Sequence, residues 1–93
     1  MIEVIKLGAD WCQPCKTYDP TFDAIAEKHQ TGNTGVVFKK LDIEQPENLE
    51  LVQQYSVRSI PTTVFVVNGE VKEKKIGVLT ESAIEEIINI IRG

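Results

Sequence analysis

The chain has 93 residues, 42% hydrophobic and 26% charged, with a net charge of −4 from 10 basic and 14 acidic side chains. That length suits one domain spanning residues 1–93 with a modest core. The acidic balance excludes the basic patch that nucleic-acid binding needs.

Lys39-Lys40 and Lys72, Lys74 and Lys75 have acidic neighbours and read as solvated strand surface. No segment is long enough to cross a bilayer. Glu3 and Lys6 interrupt the apolar stretch from Met1 to Leu7, so it does not read as a signal peptide. The expected compartment is the cytoplasm, where stable structural disulfides are uncommon.

Ile2 to Leu7 is a short apolar strand, and Gly8 to Trp11 a connection. A helix begins near Cys12 or Gln13 with Pro14 in its first turn, where the missing N–H costs nothing. Tyr18, Phe22, Ile25, Ala26 and His29 follow at helical spacing as one buried stripe. Pro20 interrupts it: either the helix kinks, or Asp19 caps a new helix that starts at Pro20. Thr31 to Gly35 is a loop and Val36 to Ile43 a second strand, which implies a right-handed crossover and a parallel pair. Pro46 to Tyr55 is a second helix, with Leu49, Val52 and Leu51 as its inward candidates.

Thr62 to Val67 is a β-branched third strand. Asn68-Gly69 is a hairpin signal, because a type I′ turn needs positive φ at both positions. Glu70 to Ile76 is the antiparallel fourth strand. Thr80 is a good N-cap for a last helix, and Leu79 is placed to staple onto Ile84. Ile84, Ile87, Ile88 and Ile91 form its apolar face. The element order βαβαββα gives an α/β fold: a four-stranded mixed sheet with helices on both faces and strand order second, first, third, fourth.

The only two cysteines, Cys12 and Cys15, stand where a strand hands over to a helix. Free N–H groups and the positive end of the helix dipole favour an anion at Cys12. A free thiol titrates near about 8.5, so stabilising the thiolate raises the reactive fraction at neutral pH. One helical turn brings Cys15 beside Cys12. Such a pair can exchange with a disulfide, one sulfur attacking and the other resolving. Zinc usually takes four ligands, but there is no other cysteine and the only histidine is His29, well down the helix. Metal in a monomer is therefore disfavoured, although a site shared between two chains stays open. Haem attachment needs a histidine after the second cysteine, and Lys16 stands there. No cofactor is called for.

The chain resembles the thioredoxins over nearly its whole length. The resemblance is carried by Ala9-Asp10-Trp11-Cys12-Gln13-Pro14-Cys15-Lys16, by Pro20, and by Tyr55-Ser56-Val57-Arg58-Ser59-Ile60-Pro61-Thr62. Phe65, Asn68-Gly69-Glu70 and Gly77 complete it. The resemblance implies that Cys12 attacks substrate disulfides and Cys15 resolves. It also implies that Pro61 is a cis-proline facing them and that the Ile60 backbone pairs with bound substrate. An X-Pro bond is cis in only about 5–6% of folded cases, so from the residues alone Pro61 reads as an ordinary turn. Trp11, Pro14, Ile60, Gly77 and Val78 would then form a flat apolar rim for an extended partner; Ile60 and Val78 as simple caps of the core is the competing reading.

The sequence departs from the family pattern in four places. The family's usual first strand and helix have no counterpart before Ile2. An edge strand, Val36 to Ile43 or a neighbour, is therefore left open, and Lys39 and Lys40 would blunt it. Gln13 stands where the family usually has glycine, and Gly8 where it often has tryptophan. Lys6 stands where the family typically buries an aspartate. Lys6 then pairs with a carboxylate such as Asp42, snorkels to water, or sits charged near the dithiol and modulates its ionisation. The resemblance implies a protein-disulfide reductase fed by a thioredoxin reductase. A glutathione-reduced, glutaredoxin-like carrier and a non-catalytic binding module are the alternatives.

Overall fold

The computed structural model describes all residues, 1–93. Its centre is β1 (Ile2–Gly8), paired in parallel with β2 (Val36–Asp42) and antiparallel with β3 (Thr62–Val67). β4 (Glu70–Ile76) completes the sheet on the far side of β3, in the order β2-β1-β3-β4. A strand covered on both faces needs apolar side chains at successive positions, which explains the near-continuous run in β1.

One face of β1 presents Ile2 and Val4 to Tyr18, Phe22 and Ile25 of α1 (Gln13–Thr31) and to Ile84 and Ile88 of α3 (Glu81–Arg92). The other presents Ile5 and Leu7, with Val64 and Val66 of β3, to Val52 of α2 (Leu49–Gln54) and to Leu41, Ile43, Tyr55 and Val57. The expected fold class and strand order are therefore present. The turn at Asn68-Gly69 has φ of 50° and 85°, as its sequence requires. Thr80 caps α3, its hydroxyl accepting from the Ala83 amide at 3.1 Å, and Leu79 packs against the cluster that holds Ile84.

Three local expectations change. α1 runs unbroken through Pro20, so Asp19 caps no second helix. Pro20 and Lys16 are both exposed, and water can satisfy the carbonyl that Pro20 leaves without a donor. The segment expected as one helix from Pro46 to Tyr55 opens with a 3₁₀ turn, Pro46–Asn48, before the six residues of α2. The tighter winding rotates the following side chains, and Leu49, expected inward, is 54% exposed. β2 ends at Asp42, although the Ile43 amide still donates to the Gly8 carbonyl at 2.9 Å.

Candidate redox site

Cys12 is the N-cap of α1, and Pro14 lies in the first turn as expected. Its extended backbone, φ −87° and ψ 109°, turns the Sγ back over the helix start, where it accepts the Cys15 amide at 3.2 Å. That contact satisfies one of the N–H groups a helix leaves without an internal partner. The Cys12 carbonyl accepts from Lys16 and its amide donates to Ala9, so both ends of the motif are fixed to the backbone. Cys12 and Cys15 form a disulfide with Cα atoms 5.2 Å apart. Both are buried, together with Ala9, and Ile43 and Ile60 pack against them.

Around the disulfide the polypeptide is apolar and partly open. Trp11 is 64% exposed, its indole N–H donating to the Glu44 carboxylate at 2.8 Å. Gln13 and Pro14 are exposed on the first turn, Ile60 is half-buried and Pro61 buried. The Ile60-Pro61 bond is cis. Gly77 is half-buried with φ of 99°, a conformation that favours glycine, and its amide donates to the Pro61 carbonyl at 2.8 Å. Thus the β4 exit is tied to the proline loop, and exposed Val78 follows it.

The chain matches the thioredoxin family model over residues 2–90. It belongs to the thioredoxin family. It is 32% identical over 85 residues to a thioredoxin of Mycoplasmoides gallisepticum, covering 91% of this chain and 79% of that one. It is 35% identical over 86 residues to a thioredoxin of Rickettsia felis, covering 92% and 77%. Among solved structures, the germline-specific thioredoxin Deadhead of Drosophila melanogaster superposes with a TM-score of 0.79 at 30% identity, covering 95% of this chain and 78% of that one. The thioredoxin of Fasciola hepatica gives the same score and coverage at 32% identity. Membership supports a general disulfide oxidoreductase role for the Cys12–Cys15 pair. No helix is long and apolar enough to cross a membrane.

Of the three readings open for Lys6, pairing with a carboxylate is the one found, with a different partner. Lys6 is buried, and its ammonium pairs with Asp19 on α1 rather than with Asp42 on β2. The register accounts for this, because Asp42 shares the face of Lys6 but is not its cross-strand neighbour. Lys6 continues the face of Ile2 and Val4, which looks toward α1, and its register partner on β2 is Lys40, a like charge. Asp42 lies opposite Gly8, one pleat repeat further on. Asp19 also stands 4.0 Å from Lys40, whose ammonium is held by Asp23 at 2.8 Å, so carboxylates of α1 neutralise both lysines. Lys6 Nζ lies 5.8 Å from the centre of the Tyr18 ring as well.

Sequence reasoning left Asp19 and Glu44 without site roles, and marked Gly8 only as a departure from the family pattern. Asp19 had a usable signal: it stands four residues after Cys15, on the same helical face. Gly8 matters because a Cβ there would come 2.9 Å from Cys15 Sγ and 3.3 Å from Cys15 Cβ. The turn that brings Glu44 to Trp11 left no comparable pattern.

Proposed function

We propose that the protein reduces disulfides of partner proteins in the cytoplasm by dithiol–disulfide exchange, receiving electrons from a flavin-dependent thioredoxin reductase. The observation that supports this best is the placement of Cys12 Sγ at the N-terminus of α1, where it accepts the free Cys15 amide, with Cys15 one turn away. In the dithiol form the same helix terminus stabilises a Cys12 thiolate.

In this reading, that thiolate attacks one sulfur of the partner's disulfide and expels the other as a thiolate. Cys15 then attacks Cys12 Sγ, releases the second partner sulfur, and closes the internal disulfide. Two electrons pass to the partner, and the two expelled thiolates take up protons from water. Trp11, Gln13, Pro14, Ile60, Pro61 and Gly77 form the surface on which an extended partner lies, and the Ile60 backbone pairs with it. The exposed Trp11 ring and Val78 supply apolar contact beside the sulfurs.

The test is reduction of insulin with NADPH and thioredoxin reductase, run beside glutathione with glutathione reductase. Turnover is expected with the first system. Turnover only with glutathione would replace the electron donor and support the glutaredoxin-like reading. Failure with both systems and with dithiothreitol would leave a binding module.

A further inference from the structure

The Cys15 side of the disulfide opens into a cleft of about 460 Å³ that the exchange mechanism above does not use. Its charged lining is Lys6, Asp10, Lys16, Asp19, Lys40 and Asp42, three cations against three anions. The charges are not equivalent in depth. Lys6 is the one buried lysine, its side chain 6% exposed, whereas that of its partner Asp19 is 40% exposed. The pair therefore points its positive end into the protein and its negative end to water, where screening weakens it.

Gly8 sets what the positive end meets. With no side chain at Gly8, Cys15 Sγ and Lys6 Cε approach the same empty point, at 2.9 Å and 3.8 Å from an ideal Cβ. The sulfur and the end of the lysine stem are thus within about 7 Å of one another, with no residue 8 side chain between them. Lys40, turned to Asp23, and Lys16 are both exposed, so water screens their charges more than it screens that of buried Lys6.

We propose that Lys6, anchored by Asp19 and admitted by Gly8, is a positioning residue that stabilises the thiolate of Cys15 and so speeds the resolving half of the exchange. The inference rests on the oxidoreductase reading and deepens it. The step is the attack of Cys15 on the mixed disulfide. Cys15 gives its proton to water; its thiolate bonds to Cys12 Sγ; the bond from Cys12 to the partner breaks, and the partner leaves as a thiolate. A buried sulfur without a nearby cation stays protonated, because burial disfavours the anion. Asp19 is already committed to the Lys6 ammonium and stands 4.0 Å from that of Lys40, so its oxygens are poorly placed to take the proton. The Lys6 charge sits on Nζ, one bond beyond Cε and so within about 8 Å of the sulfur; at that distance and an effective dielectric near 20 it shifts ionisation by between one and two pH units, roughly. The screened Asp19 carboxylate removes part of that and leaves about one unit, or about tenfold in thiolate fraction.

The test uses the reduced protein and an aromatic disulfide reagent that releases one coloured thiolate at each step, followed by stopped flow across a pH series. The first release reports Cys12 and the second reports Cys15. Lys6→Met is expected to slow the second release about three- to fourfold at neutral pH, because the less stabilised thiolate is scarcer but intrinsically more nucleophilic, to move its pH midpoint up by about one unit, and to change the first release less. Asp19→Asn keeps an acceptor for Lys6 but removes the opposing charge, so its second release should stay at least as fast as wild type, with the midpoint level or lower. An unchanged second release in Lys6→Met would overturn the proposal. So would slowing in Asp19→Asn, which would make Asp19 the proton acceptor. A wild-type protein that gives the first release and never the second would overturn the exchange reading itself, a result distinct from either.

Discussion

Adding one methyl group at Gly8 tests how closely the strand end is fitted to the disulfide. In Gly8→Ala the new Cβ would lie 2.9 Å from Cys15 Sγ and 3.3 Å from Cys15 Cβ. Carbon and sulfur atoms ordinarily keep at least half an ångström more than the first of these, so something must move. Cys15 cannot swing aside easily, because the disulfide ties it to Cys12, whose backbone is held by Ala9 and Lys16. Overpacking of this kind costs about 1–3 kcal/mol. For a domain of this size a loss near 2 kcal/mol lowers the melting temperature by roughly 8–16 °C.

The two redox forms should not suffer equally. In the dithiol, Cys15 Sγ is free to rotate away, and only the contact with its Cβ remains. A difference of about 1 kcal/mol against the oxidised form raises the reduction potential by roughly 20 mV, making the variant more oxidising. The assay is thermal unfolding of both forms by circular dichroism, with equilibration against glutathione for the potential. Equal melting temperatures for Gly8→Ala and wild type in both forms, with an unchanged potential, would refute the close fit between Gly8 and Cys15.

Phe22, 1% exposed and edge-on to Tyr18 and Phe38, ties α1 to the sheet; Phe22→Ala should cost about 3–5 kcal/mol in urea unfolding. Thr80→Ala removes the cap of α3 and should cost about 0.5–2 kcal/mol by the same measurement. Burial raises the Tyr18 phenol above its ordinary value, and the hydrogen bond with Thr63 only partly offsets this. The neutral phenol is thus favoured in the folded state. Its contribution is full below the unfolded tyrosine range, near about pH 10, and is lost as pH rises through the higher folded value. Unfolding midpoints in alkaline buffers should therefore fall above about pH 10 in wild type, and less steeply in Tyr18→Phe.

Much of the architecture could be read from short-range chemistry. The apolar run of β1, the Asn68-Gly69 turn and the Thr80 cap each name their own geometry, and together they leave few ways to order four strands. The Cys12 and Cys15 pairing followed from one helical turn. What the residues alone did not supply was long-range. The Ile60-Pro61 conformation came from family resemblance, since a proline at a strand start is compatible with either isomer. The partner of Lys6 depended on Lys40 standing opposite it and on α1 crossing that face; of the three readings open for Lys6, pairing with a carboxylate holds, but the carboxylate is on the helix and not on the adjacent strand. The exposure of Leu49 turned on a 3₁₀ turn, whose pattern over three residues cannot be told from a helix start.

The central claim is that the two cysteines act in sequence, with Cys12 attacking and Cys15 resolving. It is tested most directly by incubating reduced Cys12→Ser and Cys15→Ser variants with a disulfide-containing protein and resolving the products on non-reducing gels. Cys15→Ser should accumulate a mixed disulfide that dithiothreitol releases, and Cys12→Ser should accumulate none. Capture by Cys12→Ser with none by Cys15→Ser would contradict the account and reverse the two roles.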